Sequence, residues 1–281
     1  VKHKKKHFDI IVVGGGHAGI EAAHISAFKG HSVCLVTMDK KAIGRMSCNP
    51  SVGGLAKGQM VREIDILGGL MGRLADVSGL QYKMLNTSKG RSVWSPRAQI
   101  DKRLYESLAV AAINSNKNIA IKNGEVVGLS IVSDVLSGVV LRSGDIISCS
   151  AIVITCGTFL SGMIHIGKRK IPAGRMGETG SFGITEHLEC LGLKTARLKT
   201  GTPPRAYRSS IDWGKTVPSF GDPEPSPFSF QTEEFNPPNE PCHTVKTNSE
   251  VHNIIINNID RSPMYSGDIS GIGPRYCPSI E

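Results

Sequence analysis

Apolar and polar positions come in blocks along the first 200 residues. "DIIVV", Asp9 to Val13, is a continuous β-branched run of the kind found in a parallel strand buried on both faces. Small residues (Ala18, Ala22, Ala23, Ala27) then recur to Phe28, predicting a helix packed close against a sheet, and Gly30 ends it. "HSVCLVT", His31 to Thr37, reads as a second strand, so the opening is a β-α-β unit with a right-handed crossover. Val61, Ile64, Leu67, Met71 and Leu74 recur at helical spacing and predict one helix over Leu55 to Leu74. A further helix is predicted near Gln99 to Asn114, with Ile100, Leu104, Leu108 and Ala111 on one face and Arg97, Lys102 and Arg103 at its start. From Ile119 to Ser150, short apolar runs broken by "NG", "SG" and "SGD" predict an antiparallel meander, after which "AIVIT" from Ala151 returns to a buried-strand pattern.

Beyond Thr200 the pattern lapses. Twelve of the fifteen prolines lie from Pro203 to Pro278, and "VPSFGDPEPSPFSF" has neither helical nor strand period. A domain boundary is placed near Thr200, with the irregular stretch beyond it a functional loop or linker.

Composition narrows the class. Apolar content of 40% and charged content of 20% are those of a globular protein, and no apolar run approaches the ~20 residues needed to cross a bilayer. The basic start "VKHKKKHF" lacks the apolar stretch of a signal peptide, so a cytoplasmic location is expected. The net charge of +9 favours acidic partners, nucleic acid among them. Seven cysteines, with no C-x-x-C pair or zinc-type spacing, imply free thiols in a reducing compartment and no metal site.

Gly14, Gly16 and Gly19 form G-x-G-x-x-G between strand and helix. The first glycine allows the turn, the second admits a pyrophosphate and the third lets helix and strand approach. The residue ending the second strand, usually acidic in this fingerprint, is Thr37, with Asp39 two positions on. The meander followed by a hydrophobic strand ending in T-x-G, Ile152 to Gly157, resembles the segment that returns to FAD in two-dinucleotide-binding flavoproteins, and this resemblance favours FAD over NAD at this loop. In "GRMSCNPSVGGLAKGQ", Cys48 precedes a turn expected to enter a helix, a setting that favours the thiolate. Gly53 and Gly54 could approach a flavin there. "GPRYCPSIE" sets Cys277 near Arg275 between two prolines, and a thiolate of this kind can add to a pyrimidine ring. Each cysteine loop reads equally as a tight turn around a thiol. "RLKTGTPPR" and "KGRSVWSPR" are basic, the latter around Trp94, and suit phosphate or single-stranded RNA as well as a hinge or a half-buried Trp.

Taken together, "GGGHAGIEAA", "MSCNPSVGGLAKG", "LNTSKG", "RAQIDK", "CGTFLSGMIHIG", "RLKTGTPPR", "NIDRSPMYSG" and "GIGPRYCPSIE", in order from Phe8 to Glu281, resemble one family. It is the flavoprotein subunit of the tRNA uridine 5-carboxymethylaminomethyl modification enzyme, MnmG or GidA. The resemblance implies an α/β fold: a Rossmann-like FAD-binding domain of the two-dinucleotide-binding flavoprotein type over 1–200, with its meander near 119–150, and the start of an inserted NAD(H)-associated α/β domain over 201–281. It implies FAD contacts at Gly14, Gly15, Gly16, His17, Ala18 and Gly19, and at Val126 and Ser181. It assigns Gly273, Pro274, Arg275, Tyr276, Cys277, Pro278, Ser279, Ile280 and Glu281 to the NADH region. Cys277 is expected to add to the uracil ring with Cys48 as second thiol, or the reverse. NADH, methylenetetrahydrofolate as one-carbon donor, glycine or ammonium, tRNA, the GTPase MnmE and a homodimer complete what the family implies. Family members run to roughly twice this length, so the chain is expected to be an N-terminal portion that binds FAD poorly and does not modify tRNA alone. The alternatives are the folate- and FAD-dependent tRNA 5-methyluridine methyltransferase, a small-molecule flavin reductase, and a nucleotide-binding scaffold without catalysis. Thr37 and "SCNPSVGG" speak against the first, and the missing C-x-x-C pair against the second.

Overall fold

The computed structural model describes residues 7–201, 203, 205–263 and 265–269. Strand β1 (His7–Val13), helix α1 (His17–Phe28) and strand β2 (Val33–Thr37) form the expected β-α-β unit. Next come β3 (Ser51–Gly53), α2 (Lys57–Ile66), α3 (Met71–Ser78), β4 (Gly79–Leu85), β5 (Ser95–Ile100) and α4 (Lys102–Ser115). The meander region holds β6 (Ile119–Asn123), β7 (Val126–Val132), β8 (Val135–Leu141) and β9 (Ile146–Ile154). Shorter elements follow: β10 (Met163–Ile166), β11 (Arg169–Pro172), α5 (Ile184–Cys190), β12 (Val217–Ser219), β13 (Cys242–Thr244) and α6 (Ser249–Ile256).

The main sheet has the order β6-β2-β1-β9-β8-β7. β6, β2, β1 and β9 run parallel, while β8 and β7 are antiparallel. The fold is α/β and Rossmann-like, as expected. Both faces of β1 are buried: Val12 joins one core with Ile20, Leu35 and Tyr105, and Ile11 and Val13 join the other with Val36, Val126 and Ile184.

Four expectations are corrected. β6 is not part of the meander but a parallel edge strand beside β2. "AIVIT" is the second half of β9, whose start pairs with β8 and whose length runs along β1. The helix predicted over Leu55 to Leu74 is two helices, broken where Gly68 adopts φ +91°. The Glu21 carboxylate answers the break, accepting from the N–H of Leu70 and Met71 at 2.7–3.1 Å. The helix near Gln99 begins only at Lys102, where Asp101 caps it; Arg97 and Gln99 belong to β5.

β3, β5 and β4 form a separate antiparallel sheet. The proline-rich stretch 222–240 is strapped across it. Asp222 accepts from the N–H of Met84 at 2.7 Å, and Glu240 N–H donates to Leu80 at 2.9 Å. The Asp76 carboxylate takes the N–H groups of Phe228 and Ser229 and the Thr232 hydroxyl. Phe228, 1% exposed, enters the same core as Val12 and Tyr105.

Candidate functional site

At the carboxyl end of β1 the three motif glycines do three different jobs. Gly14 takes φ +106°, and a Cβ there would lie 2.6 Å from the Thr155 carbonyl. A Cβ on Gly19 would lie 1.8 Å from the Gly14 carbonyl, so the third glycine is what lets α1 approach the loop. Among the described residues, nothing lies within 4 Å of the missing Cβ of Gly16. That open side adjoins the first turn of α1, which no side chain caps, leaving its N–H groups and positive dipole end for an anion. Thr155 closes the loop, its hydroxyl donating toward the carbonyls of Val13 (2.8 Å) and Gly14 (3.1 Å).

Ala18 and His17 open α1. His17 lies edge-on to Tyr105 at 5.6 Å between centroids. Burial, and then the Arg175 guanidinium, hold the His17 pKa below its ordinary value, so its ring is neutral at physiological pH. His17 Nδ1 and the Tyr105 hydroxyl are buried and find no hydrogen-bond partner among the described residues. Burial, and then Glu21, push the Tyr105 phenol up.

Thr37 ends β2 almost buried, and its hydroxyl donates to the Asp39 carbonyl at 3.2 Å. Asp39 is engaged elsewhere, its carboxylate accepting from Lys41 N–H at 2.8 Å. Gly124 N–H donates to the Thr37 carbonyl at 2.9 Å, which sets the turn before Val126 beside the end of β2. Val126 and Ser181 are both buried, and the Ser181 hydroxyl faces the Val126 carbonyl at 3.5 Å. The residues carried over from the family motif on these two segments are thus neighbours.

Cys48 lies on the far side of the loop that leaves Thr37. Its setting differs from the expected one: the chain passes through β3 before α2 begins, so the thiol is not at a helix N-terminus. Cys48 is exposed, and its carbonyl accepts from the Arg205 guanidinium. A groove of about 330 Å3 runs beside it, lined by the apolar Met46, Pro50, Leu80 and Ile100 and by Asp101, Lys102, Arg103 and Arg205. Gly53 does not face this groove. A Cβ there would strike the Pro96 carbonyl at 2.2 Å and the Phe228 ring at 2.7 Å. Gly273 to Glu281, with Arg275 and Cys277, lie outside the described residues.

Sequence reading missed Arg45, which pairs with Glu106 at 2.8 Å and Glu178 at 3.0 Å and pins the loop between Thr37 and Cys48. No local pattern marks it, because both partners come from distant segments. Trp94 bonds the Lys89 carbonyl through its indole N–H and stacks under Arg91. No disulfide joins the described cysteines, no group among the described residues could hold a metal ion, and no helix among them is long and apolar enough to cross a membrane.

Residues 9–281 match the model of the family described as glucose inhibited division protein A. A curated relative from Thermodesulfovibrio yellowstonii, named tRNA uridine 5-carboxymethylaminomethyl modification enzyme MnmG, is 50% identical over 279 residues, which are 99% of this chain and 45% of the relative. One of the same name from Bdellovibrio bacteriovorus is 50% identical over 277 residues, covering 98% of this chain and 43% of the relative. The form I crystal structure of Aquifex aeolicus GidA superposes with a TM-score of 0.90 at 43% identity, covering 98% of this chain and 47% of that one. The chain therefore spans less than half the length of the curated relatives it matches.

Proposed function

The chain belongs to the glucose inhibited division protein A family, and from that premise we propose that it is the dinucleotide-binding part of an FAD-dependent enzyme that modifies C5 of the wobble uridine in tRNA. The relatives' printed name gives the reaction: a carboxymethylaminomethyl group is installed on uridine. The observation that carries the reading for this chain is the glycine loop. Gly14 and Gly19 are required by packing alone, whereas Gly16 faces open space beside an uncapped helix start. Space kept open next to free N–H groups suits a pyrophosphate.

FAD, when bound, would supply hydride chemistry. The chain's own residues would hold and orient it: the Gly14–Gly19 loop the pyrophosphate, neutral His17 the floor beneath α1, Thr37 the ribose through its acceptor lone pairs, and Val126 and Ser181 the neighbouring wall. A hydroxyl binds the ribose more weakly than a carboxylate, so affinity is expected to be modest. In the whole protein NADH is the reductant, with Gly273–Glu281 in its site, and methylenetetrahydrofolate donates the carbon. Cys277 and Cys48 serve as the thiols, MnmE is the partner, and the protein works as a cytoplasmic homodimer.

The test is a fluorescence titration of FAD with the 281-residue chain, alongside Gly16→Leu. Weak but saturable quenching that Gly16→Leu abolishes is expected. Quenching unchanged in that variant, or none at millimolar FAD, overturns the assignment of the loop.

A further inference from the structure

A cation near the glycine loop is held in place without being neutralised there. Arg175 sits in a turn between β11 and α5, closed where Glu178 N–H donates to the Arg175 carbonyl at 3.0 Å. Its guanidinium lies over the Phe159 ring, 5.1 Å from the centroid, and a Cβ on Gly174 would lie 2.2 Å from the same ring. A Glu178 carboxylate oxygen is 3.7 Å from the guanidinium, beyond hydrogen-bond reach, and Arg45 takes that same oxygen at 3.0 Å. Arg175 Nε is buried with no hydrogen-bond partner among the described residues. Two observations set this cation beside the loop. Arg45 follows Gly44, whose N–H donates to the Gly15 carbonyl, so the chain Arg45–Glu178–Arg175 begins at the loop itself. Burial, and then the Arg175 charge, hold His17 below its ordinary pKa, and His17 is the first residue of α1.

A guanidinium near the positive end of a helix is unfavourable by itself and becomes favourable when an anion joins them. The ion-pair network does not need this cation, because Arg45 already serves both Glu106 and Glu178. We propose that Arg175 is a diphosphate-binding residue of the dinucleotide site, its guanidinium pairing with the diphosphate held on the Gly14–Gly19 loop while Glu178 stays with Arg45. The planar fork of a guanidinium matches two phosphate oxygens at once. This assignment rests on the reading of the loop as a dinucleotide site and deepens it: the motif supplies N–H donors, and the turn after β11 supplies the charge. With Thr37 standing where a carboxylate would grip the ribose, the diphosphate carries a larger share of the affinity.

The experiment pairs the FAD titration with urea unfolding in inorganic pyrophosphate, on the 281-residue chain, Arg175→Gln and Arg175→Lys. Arg175→Gln should weaken FAD about tenfold and Arg175→Lys about threefold, since an ammonium keeps the charge and loses the fork. Without ligand, the urea midpoint of Arg175→Gln should lie within about 0.3 M of that of the unmodified chain, because the ion pair it loses is long and shared. Pyrophosphate at about ten times its dissociation constant should raise the midpoint of the unmodified chain by about 0.5 M. At the same concentration the rise for Arg175→Gln should be below about 0.2 M, as a tenfold weaker site requires. No rise in the unmodified chain, an equal rise in Arg175→Gln, or FAD affinity equal in both overturns the proposal. So does a larger fall in the ligand-free midpoint, which would make Arg175 a structural residue. The reading of the loop fails separately, on Gly16→Leu, and the pyrophosphate measurement still decides the role of Arg175 if FAD does not bind.

Discussion

Replacing Phe228 with alanine removes a ring that is 1% exposed from the core shared by β1, α1 and α4. Phe→Ala at such sites costs about 3–5 kcal/mol, more where the surroundings cannot collapse. Three features here resist collapse. Gly53 has no side chain to move into the void, and the Pro96 carbonyl is already packed against it. The backbone at Phe228 and Ser229 stays tied to Asp76 in the variant, because those bonds use N–H groups. Phe230 N–H is likewise held by Asp65 at 2.9 Å. The upper half of the range applies, about 4 kcal/mol, a large share of the 5–15 kcal/mol that holds a typical domain folded. With a urea slope near 2.5 kcal/mol per molar, the unfolding midpoint should fall by about 1.5 M. Urea unfolding followed by far-UV circular dichroism measures it, and Phe228→Leu should recover most of the loss. A shift below about 0.3 M would refute the reasoning: the strap would then lie on the molecule without belonging to its core.

Four further outcomes follow from the same structure. Gly19→Ala drives a methyl into the Gly14 carbonyl and should destabilise the fold as well as abolish FAD binding; Gly16→Ala, in open space at φ −74°, should leave the urea midpoint unchanged and weaken FAD alone. The Arg142 guanidinium, bonded to Glu125, holds that carboxyl below its ordinary value of 4.5, so its contribution is present above that value and lost as pH falls through the lower folded one. Unfolding midpoints measured down the acid limb should therefore fall less steeply for Glu125→Gln than for the unmodified chain. Burial pushes the Cys156 thiol up to about 11, so at pH near 8 its alkylation should be at least about tenfold slower than that of exposed Cys48. Arg45→Met leaves Glu106 and Glu178 without their shared cation and should cost about 1–2 kcal/mol, a half-exposed network being screened by water; the urea midpoint checks it.

Legibility in the sequence tracked how local each cause is. β1, α1 and β2 were readable because continuous β-branched runs and three spaced glycines carry their own signal. The break between α2 and α3 was hidden because Val61, Leu70 and Leu74 all face one core, so the apolar period runs across Gly68 and Gly69 as though the helix did. The glycine pair was the available signal. Asp101 likewise marked the start of α4, but the apolar face invited an earlier beginning. β9 looked like two strands because "SCS" interrupts its apolar run, although Cys149 is buried and the backbone ladder continues through it. The strap left no periodic trace. It is held by carboxylates on α2, α3 and its own Asp222, which take backbone N–H groups, and prolines disguise a segment that is nonetheless packed.

The loop from Thr37 to Cys48 joins the two candidate sites mechanically. Gly44 N–H donates to the Gly15 carbonyl at 2.9 Å, and Ile43 is fully buried against Gly15, whose missing Cβ would lie 3.1 Å from it. Arg45 then ties the loop to α4 through Glu106, Met46 enters the core, and Cys48 emerges at the groove. On the other side of Cys48, β3 is backed by Phe228 at Gly53. The thiol therefore stands on a short span anchored at one end to the glycine loop and at the other to the strap. Interiors packed at this density transmit displacement rather than absorb it, so a ligand that moves Gly15 must move Ile43, and with it the loop that carries Cys48. An irregular, proline-rich strap is well suited to the opposite anchor. Its prolines keep it stiff, and its hydrogen bonds to Asp65 and Asp76 set its position without requiring a strand partner.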